Sequence, residues 1–126
     1  MKVAFQFFSV MLCCGLIAGC GGSVNNNTCM ITAMVNPVSA TASHTAASPG
    51  NQVQFSTSSS VVGNCPQLPD TLGSWSTSDP VNTSISNQAG SQGLATCVNA
   101  TTTPATISNS STVRGQKFAS ATLTCN

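Results

Sequence analysis

Beyond its N-terminal apolar run the chain reads as an all-β domain, an antiparallel sandwich or barrel. Two observations predict this. About seven short strand-forming segments follow one another roughly ten residues apart, separated by turn signals, and no segment has the period of an amphipathic helix. The composition is rich in Thr, Val, Ser and Ala, with only 4% charged residues. Disordered chains usually combine few β-branched residues with high net charge. This chain has the opposite balance and suits sheets covered by hydroxyls.

The elements follow in order. Met30-Ile31-Thr32-Ala33-Met34-Val35 is an apolar run that opens after Cys29 and is stopped by Asn36-Pro37. A second stretch, 38–47, leads to Ser48-Pro49-Gly50-Asn51, where Pro before Gly predicts a type II turn. Val53, Phe55 and Thr57 then alternate with Gln52, Gln54 and Ser56, the two-residue period of a strand with one buried face. The segment 58–71, interrupted by Cys65-Pro66 and Pro69, reads as a long loop. Further strands are expected over 73–77, 82–86, 94–99, 105–109 and 118–125, with turns at Asp79-Pro80, 87–93 and Arg114-Gly115.

Side-chain faces are clear in some strands and open in others. In the last one Ala119, Ala121, Leu123 and Cys125 share a face, opposite Ser120, Thr122 and Thr124. In 94–99 the inward face stays open, because Leu94 and Val98 oppose Ala95 and Cys97. Trp75, the only tryptophan, reads as a core anchor in a central strand. Its rival role, a stacking platform for a sugar ring, normally wants aromatic company on an exposed face, and the chain has no Tyr.

The N-terminus has the layout of an export signal. Lys2 gives the positive start, 3–16 is mostly apolar, and Ala18-Gly19 supplies small residues before Cys20. The run is shorter than the about 20 apolar residues a spanning helix needs. Leu16-Ile17-Ala18-Gly19-Cys20 resembles the lipobox of bacterial lipoproteins, in which the leader is cut before the cysteine and the sulfur carries a diacylglycerol. An ordinary cleaved signal would not require a cysteine there. The resemblance implies removal of 1–19, together with Cys13 and Cys14, and lipidation of Cys20 with two or three chains. At about 0.8 kcal/mol per buried methylene this holds a protein stably on a membrane. Residues 20–28, Cys-Gly-Gly-Ser-Val-Asn-Asn-Asn-Thr, then form a flexible polar tether to a domain over 29–126. Gly21 is not the Asp that retains enteric lipoproteins in the inner membrane, so an outer-membrane destination is favoured where the organism has one.

Charge and side-chain chemistry exclude several function classes. Past Cys20 the formal charges are Asp70, Asp79, Arg114 and Lys117, two of each sign. No Lys/Arg cluster exists to attract nucleic acid, and two carboxylates cannot build a calcium cage. His44, either Asp and one of many serines make a catalytic triad only on paper, since a triad is recognised by geometry. His44 lies in Ser43-His44-Thr45 and is expected as a solvated surface imidazole. Cys29, Cys65, Cys97 and Cys125 lack the paired short spacing of a zinc site, and an exported location favours disulfides. The chain is therefore expected to be non-catalytic, with no metal and no cofactor beyond the lipid. Asn-x-Ser/Thr matches at Asn26, Asn82, Asn99 and Asn109 are expected by chance in so Ser/Thr-rich a chain.

Pro37-Val38-Ser39-Ala40-Thr41, Gly50-Asn51-Gln52-Val53-Gln54-Phe55, Trp75-Ser76-Thr77-Ser78-Asp79-Pro80, Gly93-Leu94-Ala95-Thr96 and Ala105-Thr106-Ile107 together resemble the bacterial immunoglobulin-like group 2 domain. The resemblance runs over about 30–124 and is most specific in the Trp-Ser-Thr-Ser-Asp and Gly-Leu-Ala-Thr segments. Thr103-Pro104 stands where the family usually has Gly, and the loop around Cys65 is longer than usual. The resemblance implies an immunoglobulin-like sandwich of about seven strands with no shared catalytic residues. Such domains occur in bacterial surface proteins, often as spacers in adhesins, and some contact host proteins or polysaccharide.

On the sandwich so implied, Cys29 and Cys65 fall at one end and Cys125 near the other, too far from Cys29 to bridge. Four cysteines allow three connectivities. Cys29–Cys65 with Cys97–Cys125 is favoured, and Cys65–Cys97 is the main rival. The expectation is a lipid-anchored envelope module for binding or adhesion, with a surface polysaccharide or envelope protein as partner. The alternative is a structural accessory lipoprotein of an envelope assembly.

Overall fold

The computed structural model of the protein describes residues 28–126, all of them in strands, turns and loops. Residues 1–27, with the expected leader, Cys20 and most of the expected tether, lie outside the described residues.

Two layers enclose one core. In the first, β1 (Met30–Asn36) pairs antiparallel with β4 (Ser56–Val62), from Met30 opposite Val62 to Asn36 opposite Ser56. Between them in sequence lie β2 (Ser39–Ala42) and β3 (Gln52–Gln54). β3 runs into β4 through Phe55, whose N–H donates to Gly93 O at 2.8 Å. β7 (Leu94–Cys97) pairs antiparallel with β3 on one side and with β6 (Thr83–Ile85) on the other. Across the layer the order is therefore β1, β4/β3, β7, β6. The second layer has the order β2, β11 (Ala121–Cys125), β8 (Ala105–Asn109), β5 (Trp75–Thr77). A small hairpin, β9 (Thr112–Val113) and β10 (Gln116–Lys117), precedes β11. Its loop is Arg114-Gly115, with φ of 46° and 78°. Positive φ at both central residues is the mark of the type I′ turn, whose twist matches the flanking strands.

The core lies between the layers. Phe55, Ala95 and Cys97 from the first pack with Ile107, Ala121, Leu123 and Cys125 from the second, with Val35 and Ala42 closing the side. The alternation of β11 is clear: Ala121, Leu123 and Cys125 are buried while Thr122 is exposed. In β7 the structure settles the open face, since Ala95 and Cys97 point inward and Val98 is exposed. The smaller residues go inside because Phe55 and the cysteine bridge occupy that space.

The all-β, largely antiparallel sandwich is as the sequence predicts, and finer expectations are corrected. One strand pair is parallel: β2 runs alongside β11 in the same direction, with Ser39 opposite Thr122 and Ala42 opposite Cys125. The cause is that β1 and β2 are successive parts of one edge. Val35 N–H donates to Ala119 O, Ala119 N–H to Ala33 O and Thr122 N–H to Val38 O, so the first strands follow the last one in the same direction. The expected loop 58–71 begins later, because β4 continues to Val62. Its serines pair fully with β1 but lie exposed, so they carry no apolar alternation. For the same reason Thr57 is exposed and does not continue the inward face of Val53 and Phe55. The Pro49-Gly50 turn is not type II: Gly50 N–H donates to Ala47 O, which puts Pro49 third in the turn behind a cis peptide bond, and Gly50 has no positive φ. At the start of the last strand Phe118 packs on the core and Ala119 is exposed.

Candidate functional site

One concave feature of the described residues is a cleft of about 360 Å³ where β3 passes into β4. One wall is Gln54 to Thr57, and Leu72, Gly73 and Trp75 form another, with Asn87, Gln92 and Asn109 completing it. Seven of its eleven lining residues are Asn, Gln, Ser or Thr, and none is charged.

Trp75 is half-buried at the start of β5, which is the edge of its sheet and not a central strand. The core-anchor expectation is thus corrected: the indole packs against the core cluster and also lines the cleft. An edge strand has only one neighbour to cover its first residue, which leaves part of a large side chain in contact with solvent. Gly93 makes this packing geometrically feasible. Its φ is 78°, and a Cβ there would lie 2.2 Å from Phe55 O and 3.1 Å from Cε2 and Cζ2 of the indole. Only glycine accepts both the left-handed backbone and the close approach.

The amides around Trp75 are held in place. Asn87 Oδ1 accepts the Trp75 N–H at 2.6 Å and its Nδ2 donates to Trp75 O at 3.0 Å. Gln54 Nε2 donates to Phe55 O at 2.8 Å and to Gln92 O at 2.7 Å. Asn109 Oδ1 accepts from the N–H and the hydroxyl of Ser111. Among the described residues Gln54 Oε1, Asn109 Nδ2 and the Gln92 side chain make no hydrogen bond.

His44, Asp70 and Asp79 each have hydrogen-bond partners of their own. His44 is half-buried, not fully solvated; its Nδ1 and its backbone N–H both bond to Asn126 O. Asp79 accepts from the Asn82 backbone and side chain at the turn it starts, and Asp70 Oδ1 accepts from Arg114 N–H. Among the described residues no group of three or more His, Cys, Asp or Glu is positioned to hold a metal.

The four cysteines among the described residues form two bridges, Cys29–Cys65 and Cys97–Cys125, with Cα–Cα distances of 4.6 and 5.6 Å. The second joins β7 to β11 and so ties the two layers through the core. The rival Cys65–Cys97 pairing is not formed. Met34 and Ala119 face each other in a parallel bridge. Cys29 lies before that level and Cys125 beyond it, on the order of 30 Å apart at about 3.3 Å per extended residue.

A scan against models of known protein families finds no match, and a search of characterised proteins finds none either. Sequence reasoning weighed Trp75 as a ligand platform but missed the amides, because the cleft draws on four segments distant in the chain.

Proposed function

We propose that the protein is a lipid-anchored, immunoglobulin-like module of the bacterial envelope that binds a surface polymer or another envelope protein and catalyses no reaction. The observation that carries the binding role is the uncharged cleft at Trp75, where the Gln54 and Asn109 amides are held by one end and keep the other free. Held groups lose little freedom on binding, which favours affinity.

The strand order supports the immunoglobulin-like reading. Constant-type immunoglobulin domains have strands A, B, E, D in one sheet and C, F, G in the other. β1, β4/β3, β7, β6 follow the first order, and β5, β8, β11 follow the second. The cysteine bridge differs, since it joins the E- and G-like strands and antibody domains join B and F. The segment Leu16-Ile17-Ala18-Gly19-Cys20 supports the anchor, and Cys20 is the proposed lipidation site.

The test has two parts. Radiolabelled palmitate is expected to enter the wild-type protein, and Cys20→Ser to abolish both labelling and membrane fractionation; a processed, membrane-bound Cys20→Ser protein contradicts the anchor. Crosslinked capture from native membranes is expected to recover a ligand in a cleft-dependent way. Recovery of a fixed protein complex that is indifferent to cleft substitutions favours the structural accessory instead.

A further inference from the structure

We propose that the cleft beside Trp75 binds an uncharged carbohydrate, with one sugar ring against the indole and its hydroxyls on Gln54, Gln92 and Asn109. The inference rests on the binding-module reading and names its ligand class.

Charge narrows the choice first. None of Asp70, Asp79, Arg114 and Lys117 lines the cleft. A sulfated or uronate polymer, or a phosphate, would lose hydration there with no opposite charge to compensate it. Polarity narrows it next. Sites for apolar molecules are lined predominantly by hydrophobic and aromatic side chains, whereas here hydrogen-bonding side chains outnumber the rest and Trp75 is the only aromatic besides Phe55. The free groups match hydroxyls well. Gln54 Oε1 accepts, Asn109 Nδ2 donates, and the Gln92 amide does both, while a sugar hydroxyl donates and accepts at one atom. An indole offers an apolar surface to the C–H side of a ring.

A peptide is disfavoured by a separate observation. Extended peptides commonly bind by adding a strand to an exposed sheet edge. At β5 that edge is already occupied at Trp75, because the Asn87 side chain takes both the N–H and the C=O that an added strand would need. The volume of about 360 Å³ falls at the small end of the roughly 300–1,000 Å³ range of small-ligand sites, which suits one or two sugar rings.

Trp75 is the only tryptophan, so its emission reports the cleft without ambiguity. The purified full-length protein in mild detergent is titrated with cellohexaose, chitohexaose, maltohexaose and mannohexaose, and with heparin and an uncharged peptide as comparisons. A saturable emission change with at least one neutral hexasaccharide is expected. Gln92→Ala, whose side chain is exposed and unbonded, should weaken it about three- to tenfold without moving the melting temperature. Trp75→Phe, followed by calorimetry, should weaken it further while keeping the fold. No response to any neutral hexasaccharide, or tighter binding of heparin or the peptide, overturns the carbohydrate assignment. If crosslinked envelope capture still depends on Gln92 and Trp75 in that case, the binding-module reading stands and only the ligand class is wrong. If capture is unchanged by both substitutions, the cleft is not a binding surface and both readings fall.

Discussion

The two ends of the first layer are built on different principles. Where β3, β7 and β6 face β8 and β11, side chains such as Phe55, Ile107 and Leu123 are at most 1% exposed and the Cys97–Cys125 bridge lies among them. Where β4 leaves the sandwich and pairs with β1 alone, Thr57 to Ser60 are exposed, and the last cross-strand pair, Met30 and Val62, is 65% and 62% exposed. A two-stranded ribbon is marginally stable in water without such cover. Here the Cys29–Cys65 bridge closes its open end. The comparison teaches that burial holds one end and a covalent link holds the other. The cleft lies at the junction, with Phe55 belonging to the buried regime and Gln54, Ser56 and Thr57 to the exposed one.

The two bridges give the sharpest way to separate these regimes. They span 36 and 28 residues, and for both the chain-entropy model gives about 4 kcal/mol, so loop length does not distinguish them. Their surroundings do. Cys97→Ala with Cys125→Ala should lose about the full amount and some packing besides, because the native core gains no freedom when the link goes. Cys29→Ala with Cys65→Ala should lose about half as much, since the unpinned ribbon gains freedom in the native state too. Thermal unfolding of the two double variants checks this, and an equal loss would show that the ribbon is as tightly held as the core.

Phe55→Ala comes next. Truncating a buried Phe costs about 3–5 kcal/mol, or a fall in melting temperature of about 15–30 °C for a domain of this size. It should also disturb Trp75 emission, because Phe55 O and the indole meet at Gly93. Trp75→Ala should cost less than Phe55→Ala, as the indole is only half-buried.

The smallest effect tests the link between the layer edges. Thr83 is fully buried, and its hydroxyl donates to Asp79 O at 2.7 Å and accepts from Thr77 at 2.6 Å. This joins β6 of one layer to β5 of the other across the Asp79-Pro80 turn. Thr83→Val keeps the volume and strands the partners, so denaturant unfolding should show a loss of about 1–3 kcal/mol. A neutral result would mean that the turn holds without that hydroxyl.

The same contrast explains what was legible in the sequence. Ala121, Leu123 and Cys125 alternate with threonines because one face meets the core and the other meets solvent, and that pattern is visible without coordinates. Ser58-Ser59-Ser60 carry no such pattern, since exposed paired serines look like a loop when only composition and period are considered. The inward face of β7 could not be chosen from Leu94 and Val98 against Ala95 and Cys97, because the choice depends on the volume left by Phe55 and the bridge. The parallel β2–β11 edge was hidden for a similar reason: it depends on where β1 passes Ala119. For the site, Trp75 was visible as a candidate platform, but its amide company was not, because Asn87, Gln92 and Asn109 meet it only through folding.

Amide hydrogen exchange on the native protein and on the Cys29→Ala/Cys65→Ala variant compares the two regimes residue by residue. Loss of the bridge is predicted to strip protection from amides of Met30 to Thr32 and Ser60 to Val62 while leaving those of β8 and β11 protected. Uniform loss of protection across both layers, or unchanged protection in the ribbon, would contradict the account.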